Sequence, residues 1–317
     1  MNLLFFDIEC ACVRKNVAKI CAFGYVLCNK KFKILKKEDI LINPRGEFRL
    51  TDRSGGKGLV LPYAYEDFVK YPRFCKVYKR IKAMLENKNN VILGHSTIND
   101  VKYLNLETKR FQLPSFEFTY SDSQLLYMTY INDFSRQLGL EHIASNLGVE
   151  FTPHRAADDA YATMKVVEAM CKEQNCGYHE LAHRLRLKEG KISNYTITAP
   201  SSHAMRSHSA QTRALKRERA KIHTQFFSYL GKLHENKEGK FKGKIFTFSR
   251  GIEDDLELSK RLADEIYASG GIYSMHITHC HYFIAEKGDT SPRTANALKI
   301  PRIQVIDIAE LEAMLRD

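Results

Sequence analysis

Residues 3–10, LLFFDIEC, place Asp7 and Glu9 two positions apart at the end of an apolar run. Alternate side chains of a strand share a face, so if the run is a buried β-strand its two carboxylates stand side by side at the edge of a core. Repulsion and desolvation make that arrangement costly unless a cation or a proton compensates. A lone Asp-x-Glu also suits a strand end that reaches water. Its meaning therefore depends on whether other acids arrive later in the chain with suitable local geometry.

Outward from this strand, residues 20–28 and 32–42 continue as strands rich in β-branched and aromatic residues. A glycine-rich loop around Gly55, Gly56 and Gly58 separates them from helical patterns at 73–85, 98–109, 122–131, 140–147 and 157–172, with a short apolar strand at 91–93. Three strands followed by mixed strands and helices predict an α/β layered domain over residues 1–185. Residues 192–210, rich in Ser, Thr and His and containing Pro200, read as an irregular connector. From about Gln211 a basic helix follows, with Ile222, Phe226, Leu230 and Leu233 in one stripe that should dock and Lys and Arg on the opposite face. The segment 186–242 is thus expected to be a basic linker with an amphipathic helix. A second, small α/β domain is expected over 243–317, with strands at 244–248, 282–285 and 302–306 and helices at 254–269, 291–298 and 308–315.

Two later clusters answer the opening pair. In residues 91–104, VILGHSTINDVKYL, a strand turns into a helix with Asp100 near its start; in residues 151–170, FTPHRAADDAYATMKVVEAM, His154 lies in a loop and Asp159 in the first turns of a long helix. Each aspartate alone suits a helix N-terminus. Together with Asp7 and Glu9 they resemble the DEDDh exonucleases, the group that includes polymerase III epsilon-like proofreading subunits, ribonuclease T and oligoribonuclease. Asp7 and Glu9 match that family's first motif. His95 to Asp100 matches its second, with Ser96 where the family has Asn, and His154, Ala156 and Asp159 match the third. The spacing of that third motif selects Asp159 over Asp158. Asp122 resembles a further family acid with a supporting role. The chain departs from the family at Cys10, Ala11 and Cys12, where Thr and a Thr-Gly pair are common.

The resemblance implies a ribonuclease H-like mixed sheet flanked by helices. It implies a metal-dependent 3′–5′ exonuclease releasing nucleoside 5′-monophosphates, with Asp7, Glu9, Asp100 and Asp159 holding two divalent ions, Mg²⁺ or Mn²⁺, and His154 as general base. Hydrolysis of a phosphodiester requires charge to be neutralised on the attacking and leaving oxygens together, and hard carboxylate oxygens suit such ions. The expected partner is a single-stranded or frayed 3′ end, with DNA favoured. An RNA-trimming exonuclease and a non-catalytic nucleic-acid or phosphoprotein adaptor are the alternatives, although an adaptor gains nothing from converging acids.

Residues 243–317 resemble a BRCT domain in GKIFTFS, the helix ending ASGG, HYFIAE and ALKIPRIQVI, without the tryptophan usual in the last helix. That resemblance implies a protein or DNA-phosphate partner, with Thr247, Ser249 and Arg293 as the nearest phosphate contacts. The net charge of +12 favours a polyanionic partner, and residues 184–242 hold 14 Lys or Arg against 4 Glu. On composition alone a solvated linker explains this stretch equally well. The eight cysteines are scattered and read as buried reduced thiols. His276, His279, Cys280 and His281 lack a second ligand pair at zinc-finger spacing. No apolar window spans a membrane and no signal-type run opens the chain, so a cytoplasmic location is expected.

Overall fold

Strand β1 (Asn2–Arg14) carries apolar side chains on both faces because both faces are covered. Leu4, Phe6 and Ile8 join one core layer with Ile81 and Leu104, whereas Leu3 and Phe5 join another with Met164 and Val167. Asp7 and Glu9 fall in step with Leu3 and Phe5, toward the second layer. The structure is a computed structural model that describes residues 1–46, 65–150 and 155–316. The glycine-rich stretch around Gly55, Gly56 and Gly58, and His154, lie outside the described residues.

The expected meander is present: β1, β2 (Val17–Asn29) and β3 (Ile34–Leu41) pair antiparallel. After them come α1 (Tyr65–Val69), α2 (Phe74–Leu85), β4 (Asn90–Gly94), α3 (Ile98–Arg110), β5 (Phe118–Asp122) and α4 (Ser123–Tyr130). Helices α5 (Leu140–Asn146), α6 (Ala156–Glu173) and α7 (Tyr178–Arg184) complete the second layer. Strand β4 lies parallel to β1, and β5 parallel to β4. The chain then adds β6 (Leu187–Lys188), β7 (Gly190–Ser193), β8 (Thr196–Thr198), β9 (Ser201–Ser202) and α8 (His203–Leu230). The main sheet has the mixed order β3-β2-β1-β4-β5-β7-β8.

The expected irregular connector after residue 192 is therefore partly strand. Ile192 is fully buried, and Ser193 pairs with Thr196 across a two-residue turn, Asn194–Tyr195, with both φ angles positive. That is the twist a tight hairpin needs. Asn is suited to it, and Tyr195 is held there by its N–H on Ser115 Oγ and its hydroxyl on Leu113 O. Tyr in place of the usual Gly hides the signal. The sheet consequently runs past residue 185, and the chain divides into compact units at residues 1–208 and 209–317.

In the second unit, β10 (Ile245–Phe248), β11 (Ile272–Tyr273), β12 (Tyr282–Ala285) and β13 (Gln304–Asp307) form a parallel sheet of order β11-β10-β12-β13. Its helices are α9 (Arg250–Asp254), α10 (Leu256–Ala268), α11 (Pro292–Leu298) and α12 (Ile308–Arg316). The helix expected at 254–269 is α10, capped by the Asp255 side chain, and a short helix that was not expected, α9, precedes it with Ser249 as its cap. Gly270 takes φ +86° as the chain leaves α10. The apolar stripe of α8 docks as expected: Phe226 is buried against Phe248 and Tyr273, with Leu230 and Leu233 beside them. The end of α8 is thus core of this unit rather than linker. Among the described residues no helix is long and apolar enough to cross a membrane.

Candidate active site

Asp7, Glu9 and Asp159 each direct a carboxylate oxygen to one place, the three atoms lying within 4.8 Å of one another. Among the described residues no other three His, Cys, Asp or Glu side chains converge in this way. The first two come from β1 by the two-residue repeat. Immediately after them the β1–β2 register slips twice, at Glu9/Cys10 and at Cys10/Cys12. Such bulges bend a strand beside a site. They fall at Cys10 to Cys12, where the chain departs from the motif it otherwise resembles.

Asp159 arrives by a long-range contact. In the sheet, Asp7 on β1 is paired with Gly24 on β2, and Gly24 with Asp39 on β3. The start of α6 rests on Gly24, where a Cβ would lie 2.0 Å from the carbonyl carbon of Ala156 and 2.1 Å from the nitrogen of Ala157. Glycine in a strand often marks such an approach of backbone to backbone. Asp39 fastens the same turn, accepting from Ala157 N–H at 2.8 Å and from Arg155 Nε at 2.9 Å. Asp158 turns to the sheet edge, where it pairs with Lys37 at 2.6 Å. The choice between the adjacent aspartates is therefore made by helix phase: Asp159 faces Asp7 and Glu9, and Asp158 faces β3.

Asp100, buried in the first turn of α3, approaches the same strand from the other side. Its Oδ1 accepts from the N–H of Ile8, the residue between Asp7 and Glu9, at 3.1 Å. It lies outside the group of three convergent acids but contributes to their electrostatics. Asp122 has a different task. It caps α4 and also accepts from the backbone N–H groups of Ser96 and Thr97, at 3.1 Å each, so it holds the turn that launches α3 and Asp100. His95 stands on that turn with Nδ1 3.0 Å from Ser123 Oγ, and burial pushes its pKa down to about 4. Ser96 has φ +51°, a left-handed conformation that Asn tolerates better than most residues. Serine is held there by its N–H on Asp122 and its hydroxyl on Gln124 Oε1 at 3.1 Å.

The acids strain one another. Burial, then the charges of Asp100, Glu9 and Asp159, raise Asp7 well above the usual carboxylate range. Burial, then Asp159 and Asp39, lifts Glu9 to about 8. Burial raises Asp100 as well, against the lowering effect of backbone N–H groups, its own and that of Ile8. Asp122 is pushed up by burial only to about 6, because four backbone N–H groups stabilise its anion. Oxygen-only donors, packed so closely that their joint ionisation is opposed, fit a hard divalent cation. Burial raises the thiols of Cys10 and Cys21 beside them, and Cys21 donates to Glu9 O at 3.3 Å.

The model of the RNase T family, described as exonuclease, matches residues 4–167, the segment that carries all these acids. The chain belongs to this exonuclease family. It is a nuclease of the DEDDh superfamily, a metal-dependent 3′–5′ exonuclease acting on nucleic acid. No curated protein matches the chain. Among solved structures, a full-length 3′-exonuclease is similar at 15% identity over 63% of this chain and 66% of its own, with a TM-score of 0.50, a likeness of fold. A 3′-exonuclease that recognises a histone mRNA stem-loop shares 15% identity over 64% of this chain and 75% of its own, TM-score 0.49. Exonuclease I of E. coli, with a dT13 oligonucleotide, shares 16% identity over 58% of this chain and 43% of its own, TM-score 0.44.

Gly24 and Asp39 are the site residues that motif reading passed over. A glycine inside the strand 20–28 was the available signal for the first; the second carries no local signal, because its partner lies 118 residues away. In the second unit, Thr247 is buried with its hydroxyl on Ser274 O at 2.7 Å, and buried Ser249 caps α9. Arg293 pairs with the buried carboxylate of Glu253 at 2.7 Å, to which Tyr273 also donates at 2.6 Å. These three residues are engaged inside their own unit, remote in sequence from the acids.

Proposed function

We propose that the exonuclease shortens DNA strands from the 3′ end, releasing nucleoside 5′-monophosphates. The convergence of Asp7, Glu9 and Asp159 carries this reading, with Asp100 adjoining through Ile8. Two divalent ions, Mg²⁺ or Mn²⁺, held by these four acids would supply charge neutralisation at the attacking and leaving oxygens. Water attacks the phosphorus, the 3′ oxygen leaves with the shortened strand, and the phosphate stays on the released nucleoside. His154 is assigned the proton of the attacking water. The next residue, Arg155, is tied to Asp39. Asp122, His95 and Ser96 orient the turn before Asp100.

A basic stretch and a separate C-terminal unit support long DNA over short RNA oligonucleotides. We place the protein in the cytoplasm, where its eight unpaired cysteines stay reduced. We assign residues 243–317 to a BRCT-like module, a reading supported by the four-stranded parallel sheet with its own core. A phosphate bound by Arg293 in that module must first displace the Glu253 carboxylate. The deciding experiment compares 5′-labelled DNA and RNA of one sequence, with and without a chelator, for the native chain and for Asp7→Ala. A ladder growing from the 3′ end, stopped by chelator and by the substitution, is expected, faster on DNA. Equal cleavage by Asp7→Ala would refute the site; faster cleavage of RNA would reassign the substrate.

A further inference from the structure

Within the second unit, the part of α8 from 210 to 221 is exposed nearly all round, Thr212 being half-buried. Farther along, one face of the helix is anchored: Arg219 pairs with Asp254 at 2.8 Å, His223 lies 3.4 Å from Glu253, and Phe226 enters the core. At 3.6 residues per turn the opposite face presents Arg213, Arg217 and Lys221 in one row. The anchored face fixes the direction of the row. Consecutive members stand about 6 Å apart along the helix axis, four residues at about 1.5 Å each. Ala210, Ala214 and Ala220 flank them, so no bulky side chain screens the cations.

Like charges four residues apart oppose helix formation. Glu218 is the one acid in α8; it stands three residues before Lys221 and forms no ion pair with it. Among the described residues none of Arg213, Lys216, Arg217 and Lys221 has an acidic partner within ion-pair distance, whereas Arg219 on the anchored face has one. An external polyanion is the partner that relieves a row of this kind.

We propose that Arg213, Arg217 and Lys221 form a phosphate-binding row that holds the backbone of a single-stranded nucleic acid. The inference rests on the exonuclease reading for its choice of polyanion. Its function is retention of long strands, and it carries no base-specific groups.

The test uses the full chain with chelator present, so that strands are bound and not shortened. Affinity for a long single strand and for a tetranucleotide is measured against salt, with and without the joint substitutions Arg213→Gln, Arg217→Gln and Lys221→Gln. Gln keeps helix propensity, and the helical circular dichroism signal verifies the fold. The slope of log affinity against log salt for the long strand should flatten by about 2, at about 0.7 for each phosphate that is no longer neutralised. The preference for long strand over tetranucleotide should fall with it. An unchanged slope would overturn the proposal, as would polyglutamate displacing the strand at equal charge concentration, which would reassign the row to an acidic protein segment. Because binding is read without cleavage, a failure of the nuclease reading shows itself separately, as cleavage that survives Asp7→Ala.

Discussion

Replacing Gly24 by alanine adds one methyl group, 2.0 Å from the carbonyl carbon of Ala156 and 2.4 Å from its oxygen. Ordinary van der Waals contact begins near 3.4 Å, and the obstructing atoms are backbone, so α6 must retreat by about 1.4 Å or the strand must bow by as much. Helix α6 carries Asp159, one of the three acids whose oxygens converge within 4.8 Å. Metal–ligand distances tolerate only about 0.2 Å of error, and displacement of a reacting group by about 1 Å costs about 100-fold in rate. Gly24→Ala should therefore lose about 100-fold in kcat and require more Mg²⁺ or Mn²⁺ for half-maximal activity. The overpacking itself should cost about 1–3 kcal/mol of stability. The assay is 3′ shortening of a 5′-labelled strand across a metal titration, beside a thermal melt. Val167→Ala, which opens a cavity deeper in the same helix, controls for general destabilisation. A folded Gly24→Ala protein with native turnover and native metal requirement would refute the idea that Gly24 seats the helix.

Asp39→Ala removes the acceptor for Ala157 N–H and Arg155, so it should cost about 1–2 kcal/mol by thermal melt. It should also lower kcat more than it changes KM, because the turn it holds adjoins His154; an equal fall with unaltered KM-to-kcat balance in Val167→Ala would argue for a merely structural role. Asp122→Ala strips four backbone N–H groups of their acceptor and should destabilise by about 2–3 kcal/mol in chemical denaturation; a loss under about 0.5 kcal/mol would show that water replaces it. Under chelation the pH dependence follows from Glu9, whose pKa rises from 4.5 to about 8 on folding. A carboxyl with a raised folded pKa adds stability that is complete below the unfolded value and is lost as pH climbs through the folded one. Chelated protein should thus weaken between pH 4.5 and 8, and the rise in Tm on adding Mg²⁺ should be larger near the upper end of that window than near the lower; the reverse order would contradict cation relief of the acid cluster.

Much of the architecture was legible because it is locally encoded. The meander, helices α2 to α6 and, in the C-terminal unit, β10, α10, β12, α11, β13 and α12 follow from periodicity, and Gly270 ends α10 as its position suggested, whereas β5, α9 and β11 carry too little pattern. Strands β7 and β8 escaped because three or four polar-rich residues carry too little pattern, and their pairing with β5 is nonlocal. The docking of α8 was foreseen as a stripe in search of a partner. Only the packed structure identifies that partner as the Phe248–Tyr273 core.

The acids divide in the same way. Sequence by itself determined that Asp7 and Glu9 share a strand face and that motif spacing prefers Asp159, since both depend on residues a few positions apart. Tertiary structure alone decided that Asp159 meets the strand acids: Gly24 clears space for the backbone of α6, and Asp39 ties down its first turn from two strands away. It also decided that Asp122 turns its charge to backbone N–H groups while Asp100 turns one oxygen to Ile8. Contacts across about 100 residues of chain depend on sheet register and helix packing, which no local pattern of side chains records.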